Sequence, residues 1–315
     1  MRRRIIILGS TGSIGQSTLD VVTALAPQIE VAGLAANTSW RVLAEQAGRF
    51  GVPAVAVSDP GCAAELRRAC PPGTRVFAGP DGLVELVREV DATFVLAAIV
   101  GAAGLPATLA AVERGLAVGL ANKESLVVAG ALLMPLARRT GSVLIPVDSE
   151  HSAIFQALQS GRPEEVRRLY LTASGGPFRT WSAERIAAAT LADALNHPTW
   201  AMGPKITIDS ATMMNKALEI IEAHHLFGVE AERIEVLVHP ESIVHSMVEY
   251  CDGAVLAQLG APDMRTPIQY ALTYPRRMAG VAALLDWRQA RSLHFEAPDH
   301  DRFPALGLGM QAARA

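Results

Sequence analysis

Cysteine is scarce: Cys62, Cys70 and Cys251 are the only three among 315 residues. Their irregular spacing excludes a disulfide framework and a paired-cysteine metal site. A reducing, cytoplasmic setting is the simplest consequence. Charge is sparse as well. Charged residues make up 19% of the chain, too few for a disordered or supercharged protein. Neither sign predominates: 28 basic and 31 acidic residues leave a net charge of −3. That balance offers no general footprint for nucleic acid or an anionic membrane. An uninterrupted apolar span is missing too. Arg2-Arg3-Arg4 before Ile5–Leu8 resembles the start of a signal peptide, but the apolar run is too short. The uncharged run Ala92–Val112 is nominally long enough to cross a bilayer. Gly101, Gly104 and Pro106 interrupt it; Phe94–Val100 reads as a buried parallel strand and Pro106 as a helix's first turn. No transit peptide, internal repeat or low-complexity segment is visible.

What is present is a large apolar fraction, 50% of the residues, in a chain of roughly two-domain length. Up to residue 148, short apolar runs alternate with helix-like segments. Strands are expected at Ile5–Leu8, Val31–Ala35, Ala54–Val57, Phe94–Val100, Ala117–Leu120 and Val143–Val147, with helices such as Ser13–Leu25 and Arg41–Phe50 between them. This βαβ alternation predicts a doubly wound α/β domain of Rossmann type. Beyond it, strands at Arg168–Thr172, Glu235–Val238, Val244–Glu249 and Ala254–Gln258 mix with helices at Ala183–Ala188 and Met213–Phe227, an α+β pattern. From about Arg276 the periodicity fades. The expected division is 1–148, 149–275 and 276–315.

Several motifs carry chemistry. Gly9-Ser10-Thr11-Gly12-Ser13-Ile14-Gly15 lies between a strand and a helix, where bare backbone amides at a helix N-terminus can approach a pyrophosphate. A plain glycine turn would read the same. After the second strand stand Ala35-Ala36-Asn37, with no acid to bind a ribose 2′-hydroxyl, which leans toward NADP. Asp148-Ser149-Glu150 follows a strand end; two hard carboxylates there suit Mg²⁺ or Mn²⁺, or are caps of the next helix. On Met213–Phe227, Asn215, Lys216 and Glu219 share the polar side, opposite Met214, Leu218 and Ile221, with Ser210 or Thr212 as cap. They read as phosphate donors one turn before a third metal carboxylate, or as a surface Lys–Glu pair. Ser174-Gly175-Gly176 offers a hydroxyl and free amides to a phosphate. His197-Pro198-Thr199-Trp200-Ala201-Met202-Gly203 reads as a mobile lid or as core aromatics. Asn122-Lys123-Glu124 sits at a strand's C-terminal end, facing a sugar or starting a helix.

In order, these blocks resemble the 1-deoxy-D-xylulose 5-phosphate reductoisomerase family, together with Ala98-Ile99-Val100-Gly101-Ala102-Ala103-Gly104, Lys205–Glu222, His239-Pro240-Glu241-Ser242 and Gly260–Pro267. The resemblance runs from Ile5 to about Leu308. It implies an NADPH- and metal-dependent enzyme, with Mg²⁺ or Mn²⁺ and Co²⁺ as a further candidate. The implied reaction rearranges a sugar phosphate's carbon skeleton, then reduces the resulting aldehyde. Asp148, Glu150 and Glu219 would hold the metal. Lys123 and His197 would join these three as catalytic residues. Asn122, Lys123 and Ser149 would contact the substrate's hydroxyls and carbonyl; Ser174, Ser210, Asn215 and Lys216 its phosphate; His197 and Trp200 would close over it. Gly9–Ile14, Ala35–Asn37, Ala98–Val100, Asn122, Glu124, Met202 and Gly203 would line the cofactor. A homodimer acting on a small molecule, with no nucleic-acid or membrane partner, is implied.

Three departures stand out. Thr199 replaces the family's usual Asn, Glu241 its usual Gln, and the chain stops at Ala315 where the family's C-terminal helical domain begins. A catalytically impaired NADP-binding fragment is therefore an alternative, with residues after Leu308 poorly held. A further alternative is a dehydrogenase resembling aspartate-semialdehyde dehydrogenase, which shares the glycine spacing but needs a nucleophilic cysteine.

Overall fold

The structure, a computed structural model, describes residues 2–198, 200, 203–289 and 292–314. The chain forms two compact units, residues 1–148 with 264–281 and residues 149–263 with 282–315.

The first unit is built on seven parallel strands: β1 (Arg3–Leu8), β2 (Ile29–Ala36), β3 (Ala54–Val57), β4 (Arg75–Ala78), β5 (Phe94–Ala97), β6 (Ala117–Leu120) and β7 (Leu144–Pro146). Their order is β4-β3-β2-β1-β5-β6-β7. Six helices connect them: α1 (Ser13–Ala24), α2 (Trp40–Phe50), α3 (Ala63–Ala69), α4 (Gly79–Glu89), α5 (Leu105–Glu113) and α6 (Glu124–Thr140). The central strands are apolar without alternation because helices cover both faces; Ile5, Ile6, Ile7 and Leu8 are all fully buried. The strand order reverses between β1 and β5, so the C-terminal ends of these two strands flank the switch point where doubly wound sheets take ligands. The strand β4 has no counterpart in the sequence reading. It is an edge strand of four residues with no fully buried side chain, so its apolar signal is weak. The run Ala92–Val112 divides between β5 and α5, and among the described residues no helix is long and apolar enough to cross a membrane.

The second unit carries a mixed four-stranded sheet, β11-β10-β8-β9, from β8 (Val166–Ala173), β9 (Ile234–Val238), β10 (Val244–Tyr250) and β11 (Val255–Leu259). The strands β8 and β9 run parallel; β10 is antiparallel to both its neighbours. Its helices are α7 (Ser149–Ala157), α8 (Ala183–Ala187), α9 (Leu191–Leu195), α10 (Pro204–Ala211) and α11 (Met214–Phe227). Of the expected caps, Thr212 accepts from the Met214 amide at the start of α11 at 3.4 Å, and Ser210 does not serve. Ser210 belongs to α10, and Met213, at φ 59°, turns the chain into α11.

Two segments fall where periodicity did not put them. The helix α12 (Arg265–Thr273), expected with the second domain, packs in the first unit against α1. The Arg3 guanidinium closes its C-terminal end, donating to the carbonyls of Ala271 (3.3 Å), Leu272 (2.5 Å) and Tyr274 (3.2 Å). The last helix, α13 (Ala305–Arg314), packs in the second unit against α11. The expectation of poorly held residues after Leu308 is thereby corrected: Gly309 and Ala313 are buried, and the missing side chain at Gly309 lets the two helices approach closely. A Cβ on Gly309 would lie 2.7 Å from the Ala217 Cα, whereas one on Gly307 would meet nothing within 4 Å.

This contrast yields a paired prediction. Gly309→Ala should destabilise the second unit by about 1–3 kcal/mol through overpacking. Gly307→Ala should stabilise it by about 0.5–1 kcal/mol through helix propensity. Thermal or denaturant unfolding of both variants checks this; equal effects would mean that α13 does not dock through Gly309.

Candidate active site

The glycine loop after β1 is shaped by backbone contact. Gly9 has φ 85°, and a Cβ there would lie 2.6 Å from the Ala98 carbonyl oxygen at the end of β5. Gly15 opens α1 directly over the Gly9 carbonyl, where no Cβ fits. Ser10 is buried and holds Gln46 of α2 through two hydrogen bonds, Oγ to Oε1 (2.7 Å) and Nε2 back to the Ser10 carbonyl (3.0 Å). Thr11, Gly12, Ser13 and Ile14 complete the turn, so the first amides of α1 face the switch point. Gln46 was not singled out from sequence; it lies 36 residues from its partner.

Asn122 organises the neighbouring loop. Its amide donates to the carbonyls of Ile99 and Gly101 and, at 3.3 Å, to Glu124, while Oδ1 accepts from the Ser125 amide at 2.9 Å. Ala98, Ile99 and Val100 are thereby presented beside Gly9, with Val100 72% exposed. Ala35 and Ala36 end β2 and Asn37 follows it, with no carboxylate among them.

The carboxylates converge. One oxygen each of Asp148, Glu150 and Glu219 lies within 4.8 Å of the others. Asp148 directly precedes α7, and its carboxylate meets the Lys123 ammonium at 2.5 Å. Glu150, in the first turn of α7, accepts from the Ser149 hydroxyl (2.6 Å) and from Lys216 (2.9 Å). Glu219 accepts from Asn215 (2.6 Å) and from Lys216. Lys216 also donates to the Thr172 carbonyl at 2.6 Å. Lys216 and Glu219 are buried, which removes the surface-pair reading. Burial alone would lower the Lys216 pKa; the charges of Glu150 and Glu219 outweigh it and hold the ammonium above its ordinary range.

A buried pair behind this group escaped the sequence reading. His151 Nε2 lies 3.0 Å from the Glu219 carbonyl oxygen and 3.5 Å from the Glu222 carboxylate, tying α7 to α11. The partners are 68 and 71 residues apart, and only their fully buried state marks them.

Ser174 and His197 meet as well. The Trp200 amide donates to His197 Nδ1 at 2.9 Å, so the proton sits on Nε2, which donates to the Ser174 hydroxyl at 3.0 Å. That oxygen also accepts from the Gly176 amide at 3.4 Å, leaving the Ser174 O–H to act as a donor. The Gly176 backbone closes on the Ser210 carbonyl, which joins this loop to α10. Gly203 precedes α10; Met202 and Thr199 lie outside the described residues. The other departure, Glu241, has a structural place. Its carboxylate lies 2.5 Å from His294 Nδ1 and 3.0 Å from His239 Nδ1, securing residue 294 to the end of β9.

The dehydrogenase alternative fails on its cysteines. Cys62 is pushed up by burial and by Asp59 and Cys70 by burial, so neither is an activated thiolate, and Cys251 lies exposed in a turn.

Comparison with known proteins decides the family. Sequence models described as 1-deoxy-D-xylulose 5-phosphate reductoisomerase and its C-terminal domain match residues 5–130 and 144–227, and a further C-terminal domain model matches 259–315. The chain belongs to the 1-deoxy-D-xylulose 5-phosphate reductoisomerase family. The reductoisomerase of Chloroherpeton thalassium is 51% identical over 313 residues, 99% of this chain and 81% of the relative. That of Anaeromyxobacter dehalogenans is 54% identical over 310 residues, 98% and 80%. Among solved structures, the Zymomonas mobilis reductoisomerase in complex with NADPH has 48% identity and a TM-score of 0.93, covering 100% of this chain and 83% of its own. A reductoisomerase in complex with NADPH, fosmidomycin and magnesium has 43% identity and a TM-score of 0.94, covering 99% and 79%. None of these findings favours the impaired-fragment alternative.

His197 gives a pH prediction. Half-burial lowers its pKa below the ordinary 6.5. The unfolded chain therefore binds more protons than the native one in the window between 6.5 and the folded value. Stability should fall as pH drops through that window and level off below it. Protonation also removes the Nδ1 lone pair that receives the Trp200 amide. An NMR titration of His197 should give a midpoint below 6.5; a midpoint at or above 6.5 contradicts the arrangement.

Proposed function

We propose that this chain converts 1-deoxy-D-xylulose 5-phosphate to 2-C-methyl-D-erythritol 4-phosphate, using NADPH and a divalent cation. The carrying observation is the convergence of Asp148, Glu150 and Glu219 in a chain about half identical to curated reductoisomerases along nearly its whole length. Three hard carboxylate oxygens with no thiolate among them suit Mg²⁺ or Mn²⁺, and also accept Co²⁺. The relatives solved with magnesium and NADPH support the same assignment.

When bound, the cation would supply Lewis-acid polarisation of the substrate's adjacent oxygens, and NADPH the hydride. The chain's own residues bind and orient. Ser149, Asn122 and Lys123 address the hydroxyls and carbonyl of the sugar. Ser174, Ser210, Asn215 and Lys216 anchor the phosphate, whose binding energy holds the reacting end in place. His197 and Trp200 close over the substrate and exclude water while the aldehyde awaits reduction. The amides of Gly12, Ser13 and Ile14 receive the cofactor's pyrophosphate. Ala35, Ala36 and Asn37 leave no carboxylate to repel a 2′-phosphate, and the loop Ala98–Val100 serves the nicotinamide end. Glu124 and Gly203 belong to the same cofactor surface.

The sheet of the second unit supports a homodimer: β11 is an edge strand whose Val255, Leu256 and Leu259 are exposed. A cytoplasmic location accords with three scattered free cysteines.

Removing a metal carboxylate tests the reading. Glu219→Gln should lower kcat by about two orders of magnitude or more, the scale for losing transition-state charge stabilisation. NADPH binding, followed by fluorescence, should stay nearly unchanged. Activity that survives exhaustive chelation would overturn the metal assignment. For the cofactor, kcat/KM should favour NADPH over NADH; equal values would contradict the reading of the β2 end.

A further inference from the structure

The four carboxylate oxygens of Glu150 and Glu219 all have donors. Glu150 takes the Ser149 hydroxyl on one oxygen and Lys216 on the other. Glu219 takes Asn215 on one and Lys216 on the other. Ser149 and Asn215 are neutral; each leaves lone-pair capacity on the oxygen it contacts. Lys216 brings a full positive charge, buried and placed against both carboxylates. An ammonium this close to the two oxygens and a divalent cation on the same oxygens would repel strongly in a low-dielectric setting. The third carboxylate, Asp148, pairs with the Lys123 ammonium, and Lys216 pairs with both glutamates.

We propose that Lys216 and the divalent cation are competing counter-ions of Glu150 and Glu219, so that metal binding releases the Lys216 ammonium to receive the substrate's phosphate. The inference rests on the assignment of Glu150 and Glu219 as metal ligands, and it adds an exchange that links metal and phosphate binding. Three consequences follow from charge alone. The lysine offsets one of the two negative charges of half-buried Glu150 and buried Glu219 when no metal is bound. It weakens metal affinity in the absence of an anion. An anion that draws the ammonium away strengthens metal affinity, and by linkage the metal strengthens anion affinity equally.

The test measures Mn²⁺ binding by electron paramagnetic resonance at pH 7.5, with methylphosphonate as the anion. Lys216→Met and Lys216→Gln should each bind Mn²⁺ about tenfold more tightly than the wild-type chain, because the opposing charge is gone. Their melting temperatures in EDTA should fall below wild type, and excess Mg²⁺ should raise them by more than it raises wild type. Methylphosphonate should tighten Mn²⁺ binding to wild type and not to either variant. Unchanged or weaker Mn²⁺ binding in the variants, with Glu219→Gln abolishing it, overturns the exchange and leaves the metal assignment standing. Mn²⁺ binding indifferent to Glu219→Gln overturns both. If neither lysine variant folds, the wild-type protein still decides: an Mn²⁺ affinity insensitive to methylphosphonate overturns the exchange.

Discussion

Holding the buried Glu219 carboxylate close to that of half-buried Glu150 is possible because the Lys216 ammonium lies between them, and much of the second unit is arranged around that contact. An isolated buried carboxylate costs several kcal/mol even after relaxation. Here the charge is shared: Lys216 reaches Glu150 on α7, Glu219 on its own helix α11, and the Thr172 carbonyl on β8. One side chain therefore fixes the spacing of two helices and a strand. His151 and Glu222 repeat the connection one turn further along α11. Gly309 lets α13 lie against the same helix. The carboxylate oxygens are held at ligand spacing by packing that would be needed without any chemistry.

The first unit solves a different problem with backbone atoms. A polyanionic cofactor needs amides that face outward and no side chains in the way. Gly9 and Gly15 supply the room; the tight contact of Gly9 with the Ala98 carbonyl brings the ends of β1 and β5 together. Asn122 then fixes the loop after β5 by gripping the Ile99 and Gly101 carbonyls. From sequence the residue reads as a substrate and cofactor contact, and its observed hydrogen bonds make it a scaffold for the loop after β5.

Much of this was legible in the sequence because the signals are local. Buried parallel strands read as short apolar runs, so six of the seven strands of the first sheet stood out; β4, short and half-exposed, did not. The glycine turn, the Asp148-Ser149-Glu150 tripeptide and the spacing of Asn215, Lys216 and Glu219 are each contained within one turn or one helix face. Chain order and residue type sufficed for them, and they sufficed for the family.

Tertiary structure alone decided the rest, because the deciding contacts join residues far apart in sequence. Periodicity assigns a helix its apolar face, and it read Asn215, Lys216 and Glu219 as the polar side of α11; only the fold turns that side inward, onto Glu150 and β8. The segment holding α12 reads from sequence as part of the second domain; in the fold it belongs to the first unit, where Arg3, about 270 residues earlier, caps its C-terminal end. The final helix gains a partner through a glycine whose value is the side chain it lacks. Composition and local pattern determined which groups the protein possesses and which elements carry them. The electrostatic cost of burying those groups, settled only when distant elements pack, determined which of them face one another.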